Sequence, residues 1–150
     1  MPSHYKGTET EILALSAFIN MMRASDAFSN YLLKTLVGKK LTLSQFGALE
    51  TLLHRGALYQ GELAAKLLRS CGSITAVVAG LEKRGLVRRE RTKEDQRFVR
   101  VELTPKGRKL IEGLFPAHAQ TVTTHFQVLS PEEQQELRQI CRKLGTSLTQ

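Results

Sequence analysis

A mainly α fold with one small β-hairpin is what the sequence predicts, and three observations predict it. Apolar residues recur at helical spacing along most of the 150 residues, from Ile12 near one end to Leu148 at the other. The pattern changes once, where LVRRER and FVRVELT alternate apolar and charged residues on either side of TKEDQ, as a two-stranded ribbon with a charged tip would. Helix start and stop residues then divide the rest into segments.

From Glu9 to Val37, one face carries Ile12, Leu15, Phe18, Ile19, Met22, Phe28, Tyr31, Leu32 and Leu36, and a second carries Leu13, Met21 and Leu33. A helix that is apolar on two sides needs two partners. Gly38, followed by Lys39 and Lys40, is its expected left-handed end. The next helix starts at Thr42, with Gln45 placed to reach back to the cap and Leu41 placed to staple onto Phe46. Leu49, Leu52 and Leu53 form its inner face, and Gly56 closes it. A short helix follows in QGELAAKLL, with Gln60 as a weak N-cap and Leu63, Ala64, Leu67 and Leu68 turned inward.

The segment RSCGSITAVVAGLEKRGL puts Ile74, Val77, Val78 and Leu81 on one side of a helix. Thr75, Ala76, Ala79 and Gly80 take the other side, Ser70 or Ser73 is the candidate cap, and Gly85 is the stop. After the hairpin, Thr104 and Pro105 restart a helix as cap and first residue. Pro116 is expected to kink it. The last helix opens on Ser130, Pro131 and Glu133 and carries the stripe Leu137, Ile140, Cys141, Leu144 and Leu148.

Charge narrows the function. The chain holds 22 Lys and Arg against 14 Asp and Glu, a net +8, and nearly all of that excess falls between Lys83 and Lys109. Such a concentration favours a polyanionic partner. Cys71 and Cys141 match no zinc spacing, the amino end has no signal-peptide core, and no apolar run is long enough to span a bilayer; a reduced, cytoplasmic protein that does not enter the membrane is expected. His118 and His125 stand at i, i+7, too far apart for a simple chelate, and His4 and His54 have no partner in sequence, so no metal is expected. With no phosphate loop, nucleophile elbow, HExxH or paired-carboxylate signature, neither an enzyme nor a cofactor is expected.

Three short helices followed by a basic hairpin make a winged helix-turn-helix, in which the third helix enters a DNA major groove and the wing flanks it. The small residues Ser70, Gly72, Ser73, Thr75, Ala76 and Ala79 allow that helix a close approach, with Arg69 beside them. Arg88, Arg89, Arg91, Lys93 and Arg97 are long and charged enough for flanking phosphates. The competing reading is a winged-helix module whose basic wing docks an acidic protein.

The stretch ELAAKLLRSCGSITAVVAGLEKRGLVRRERTKEDQRFVRVELTPKG resembles the core of the MarR family of bacterial transcription regulators. Its most specific parts are LEKRGLV, the wing triplet Asp95-Gln96-Arg97, and LTPKG from Leu103 to Gly107. The resemblance implies that Arg97 enters a minor groove and that Asp95 holds the wing's shape. It also implies one domain over residues 1–150, with a DNA-binding lobe at 41–112 and dimerisation helices at 9–37 and 116–148. The two-faced first helix and the unpartnered last stripe agree with a homodimer, which would read a pseudo-palindromic operator with half-sites about 10 base pairs apart. Where many members have arginines and an acid in the recognition helix, this chain has Thr75-Ala76-Val77-Val78-Ala79-Gly80, so specificity is expected to lean on small side chains, the wing and DNA shape.

Many relatives are repressors released by a small aromatic ligand, for which Phe18, Met22, Phe28, Tyr31 and His54 are the candidate liners. Thiol oxidation at Cys71, near the start of the recognition helix, is the other candidate signal. The family's peroxide sensors carry their cysteine in the first helix, where this chain has none.

Overall fold

A computed structural model describes residues 4–67, 71–95 and 97–148, with the backbone alone at 71 and 72. The chain divides into two compact units, Met1–Leu43 and Ser44–Gln150.

In the first unit, α1 (Glu9–Leu36) opens on a capping box absent from the sequence expectations. The Glu11 N–H donates to Thr8 Oγ1 at 3.2 Å, and the Thr8 N–H donates to Glu11 Oε2 at 2.8 Å. The far end departs from expectation. A 3-10 turn over Val37–Lys39 carries the chain past Gly38, and the left-handed residue is Lys40, with φ 54°. Leu36 and Leu41 are both buried, and this tight turn lies between them, with the Lys40 N–H closing on the Val37 carbonyl at 3.3 Å.

The second unit runs α2 (Leu43–Arg55), β1 (Leu58–Tyr59), α3 (Gln60–Lys66), α4 (Cys71–Lys83), β2 (Val87–Arg91), β3 (Val99–Leu103), α5 (Pro105–Phe126) and α6 (Pro131–Leu148). Its core is built from Phe46, Ala48, Leu49 and Leu52 of α2, Leu63 and Ala64 of α3, and Ile74, Val78 and Leu81 of α4. Leu86, Val87, Val101 and Ile111 complete it. Gly56 and Gly85 stop α2 and α4 with φ of 78° and 71°, a conformation glycine takes without strain. Ser130 and Glu133 cap α6 reciprocally, through bonds of 2.8 and 3.2 Å.

Several expectations change in the second unit. The hairpin gains a third strand: β1 pairs antiparallel with β3, Leu58 opposite Val101 and Tyr59 opposite Arg100, giving the order β1-β3-β2. Two residues are too short a run to show period-two alternation. Gln60 is the first residue of α3 rather than its cap; Tyr59 holds the cap position, its N–H donating to Glu62 Oε2 at 2.8 Å. Ser73 lies inside α4, not at its start, while Ser70 lies outside the described residues. Pro116, where a kink was expected, lies inside α5, which stays helical from Pro105 to Phe126. The expected boundary between DNA-binding lobe and carboxy-terminal helices therefore falls inside one continuous helix.

The junction between α4 and α5 explains LTPKG. Thr104 Oγ1 donates to the Gly85 carbonyl at 2.6 Å and accepts from the Gly107 N–H at 3.1 Å. The Thr104 N–H donates to the Leu86 carbonyl at 3.1 Å, and Lys106 Nζ donates to the Arg84 carbonyl at 3.0 Å. Gly107 lies so close to the chain that a Cβ there would stand 1.9 Å from the Leu86 oxygen. In an ordinary helix, Gly→Ala stabilises by about 1 kcal/mol. Here the sign should reverse: Gly107→Ala is expected to destabilise by about 2–4 kcal/mol, read as a lower midpoint of denaturant unfolding.

Candidate nucleic-acid interface

The outer face of α4 follows from its sequence. With Ile74, Val78 and Leu81 fully buried, the helical period leaves Ser73, Thr75 and Ala76 exposed, and no side chain on that surface is longer than threonine's. Ala79 and Gly80, expected on this face, and Val77, expected on the inner one, are half-buried; a Cβ at Gly80 would meet Gln45 Nε2 of α2 at 3.0 Å. Arg69 and Ser70 lie outside the described residues, as does the side chain of Cys71. One contact on this face was absent from the sequence reading: Gln60 Nε2 of α3 donates to Thr75 Oγ1 at 2.8 Å.

The wing sheet separates its arginines by strand alternation. One face carries Arg88 and Glu90 opposite Glu102 and Arg100. There Arg88 bonds Glu102 through Nε at 3.0 Å and also through its terminal nitrogen. The other face carries Val87, Arg89 and Arg91, with Val99 and Val101 on the neighbouring strand. Here Arg89 is tied to the recognition helix: its N–H, Nε and terminal nitrogen all donate to the Glu82 carboxylate, at 3.2, 3.2 and 3.0 Å. Glu82, Arg89, Arg91 and Val99 line a polar recess of about 260 Å³ between α4 and the wing.

At the tip, Asp95 organises the turn. Its carboxylate accepts from the Arg97 N–H at 3.0 Å and from the Arg97 guanidinium at 2.8 to 3.2 Å. Thr92 closes the base: Thr92 N–H donates to the Phe98 carbonyl, Phe98 N–H to the Asp95 carbonyl, and Asp95 N–H to Thr92 Oγ1. The Arg97 side chain is 87% exposed and Asp95 only 30%, so the cation stands outward on an anchored carboxylate. Lys93 is exposed on the same turn.

These pairs hold three carboxylates below their usual range. Hydrogen bonding by Arg89 lowers Glu82, by Arg97 lowers Asp95, and by Arg88 lowers Glu102. Each contribution is present above the ordinary carboxylate pKa and is lost as pH falls through the lowered folded value.

Of the candidate ligand liners, four lie on α1 in the first unit and His54 lies on α2 in the second. Phe18, Met22 and Tyr31 are exposed along α1 and Phe28 is half-buried there. His54, near the end of α2, stacks edge-on to Phe115 with ring centroids 4.6 Å apart. It closes a row the sequence reading missed, in which His118 lies 4.6 Å from Phe46 and 5.9 Å from Phe115. The signal was present, since Phe46 and His54 stand eight residues apart on α2, and Phe115 and His118 three apart on α5. Among the described residues, no three of His, Cys, Asp and Glu come together as a metal site. No described helix is long and apolar enough to cross a membrane.

A family model described as the MarR family matches residues 41–99. The HTH-type transcriptional regulator MhqR of Bacillus subtilis is 31% identical over 91% of this chain and 94% of its own length. The transcriptional repressor MprA of Escherichia coli is 30% identical over 78% of this chain and 68% of its own. Among solved structures, Bordetella bronchiseptica BpsR, whose DNA binding is regulated by 6-hydroxynicotinic acid, is 27% identical. It aligns with a TM-score of 0.78 over 86% of this chain and 98% of its own.

The Asp95 clip makes a direct prediction. In a carboxylate NMR titration, Asp95 should show a midpoint below that of a free aspartate, and Arg97→Ala should move it back up. An unmoved midpoint would mean that Arg97 does not hold the turn.

Proposed function

This chain belongs to the MarR family, and we propose that it is a homodimeric, sequence-specific regulator of transcription, a repressor that binds a pseudo-palindromic operator and is released by a small aromatic ligand. The observation that carries the reading is the pairing of an outer α4 face of Ser73, Thr75 and Ala76 with a wing whose tip presents an exposed Arg97. A major groove accepts a helix whose leading side chains are short, and a narrow minor groove attracts an extended guanidinium. Arg91 and Lys93 extend the same positive edge toward the phosphates, and such contacts make affinity fall steeply with salt. Arg88 and Arg89 divide this role: Arg88 is exposed and can exchange Glu102 for a phosphate, whereas Arg89 braces the wing against α4 through Glu82.

A dimer accounts for the uncovered apolar faces. Ile12, Leu13, Leu15 and Phe18 on α1, and Leu137, Ile140, Leu144 and Leu148 on α6, are all more than a third exposed in the single chain. A second copy burying these faces removes them from water and fixes two lobes at one spacing. Residues 9–37 and 116–148 are the dimerisation helices in this reading, and 41–112 the DNA-binding lobe.

The aromatic ligand follows from BpsR, whose DNA binding answers to 6-hydroxynicotinic acid, and from the aromatic residues Phe18, Phe28 and Tyr31 of α1. Such a protein works by binding rather than by covalent chemistry, in the cytoplasm where bacterial DNA lies.

Selection of duplex DNA from a random library should recover two inverted half-sites with centres about 10 base pairs apart. Arg97→Ala should bind the recovered operator about tenfold more weakly. Enrichment of no sequence would reject DNA reading as the function. Ile140→Glu should sediment as a monomer and lose about a hundredfold or more in affinity for the two-site operator, because the second lobe no longer binds intramolecularly.

A further inference from the structure

We infer that Gln60, in the first turn of α3, is a positioning residue for base recognition: it sets the orientation of Thr75 on the outer face of α4, and through it the base preference of the protein. The inference rests on the DNA-reading function proposed above. The observation behind it is the bond from Gln60 Nε2 to Thr75 Oγ1 at 2.8 Å, which crosses between two helices and fifteen residues of sequence.

A threonine in a helix divides its χ1 between two rotamers, which exchange the places of hydroxyl and methyl. In one the oxygen lies toward a given neighbour; in the other the methyl does. A donor on α3 that holds Oγ1 selects one of them. The methyl then takes another staggered position on Cβ, on the exposed face that Thr75 shares with Ala76. In a recognition helix with no arginine at this place, the groups that can discriminate are small, and a methyl placed against the C5-methyl of thymine is one of the few such contacts available. A threonine without that bond would be held less firmly to one rotamer and discriminate less.

The other end of the Gln60 amide supports a functional rather than a packing role. Among the described residues, Gln60 Oε1 is buried and has no hydrogen-bond partner. A buried amide oxygen left unpaired weakens the fold, and an apolar side chain of the same length would avoid that loss. Exchanging the amide's O and N leaves this unchanged, because one end still faces Thr75 and the other stays unpaired. A glutamine that serves the fold poorly and holds one hydroxyl of the reading surface is explained by what that hydroxyl's orientation does.

The test compares Gln60→Met, of similar length and without the amide, with the parental chain and with Gln60→Glu, which can still accept a bond from the Thr75 hydroxyl. Each is measured for thermal midpoint, for affinity toward the selected operator and a random duplex, and for base preference by library selection. Gln60→Met should keep or raise the thermal midpoint and bind random duplex as the parent does. It should bind the operator about five- to tenfold more weakly, with preference broadened at one position in each half-site. Gln60→Glu should weaken binding to every duplex alike, because of its charge, and keep the parental preference. The inference is overturned if Gln60→Met selects the parental operator with parental affinity. It is also overturned if that variant unfolds earlier and loses operator and random duplex equally, which would mark a packing role. A parental protein that enriches no sequence overturns the functional reading itself, and this inference with it.

Discussion

The close approach of Gly107 to the backbone of Leu86 fixes the direction of everything that would meet DNA. At that point α4 has ended at Lys83, β2 is about to begin, and the first turn of α5 lies against the link between them. Thr104 and Lys106 bind the carbonyls of Gly85, Leu86 and Arg84, the three residues that link α4 to β2. A link whose carbonyls are satisfied by another element is held in place by that element. The recognition helix and the wing leave this junction in fixed directions, and the Glu82 to Arg89 contact joins them again farther out.

The charges divide into those that shape the protein and those that face outward. Summed by sequence they look interchangeable, a dense run of arginine and lysine. In the fold, Arg89 spends its donors on Glu82, Arg88 spends two on Glu102, and Arg97 rests on Asp95 while remaining largely exposed. Exposed ion pairs are weak because water screens them, so a phosphate can displace a carboxylate from Arg88 or Arg97 without dismantling the core. Displacing Glu82 from Arg89 would instead release the backbone N–H of β2 and loosen the wing against α4.

The helices, their order and the buried face of α4 were legible because each rests on a local rule: apolar spacing, a capping residue, a stop glycine. Ile74, Val78 and Leu81 are buried as the period predicts, and Thr104, Pro105, Ser130 and Glu133 start their helices as their chemistry requires. What failed depended on contacts distant in sequence. β1 is a strand only because β3 offers it an edge, and Gly80 turns inward only because Gln45 of α2 lies near it. The site was legible as a set of residue types and not as a set of partners. That Arg89 braces and Arg97 protrudes follows from strand alternation and a turn, and the Gln60 bond to Thr75 from a helix crossing; none of these leaves a mark in composition.

A rigid reader limits how such a protein can be switched. With α4, wing and the start of α5 bound to one another through backbone carbonyls, a ligand has little scope to reshape the reading surface itself. It can act only by preferring one placement of whole lobes over another, and its effect cannot exceed the difference in its affinity for the two. α5 is the element suited to carry such a displacement. Its first turn belongs to the Leu86 junction, Ile111 is locked in the core, and the same helix continues to Phe126, just before the α6 stripe begins. Partway along it Pro116 lacks the N–H that would close on the Glu112 carbonyl, so the helix is continuous in shape but short of one bond between its anchored and distal halves. The sequence suggested a bend at that proline. The helix runs on through it with one bond missing, so bending there breaks fewer bonds than elsewhere along the helix.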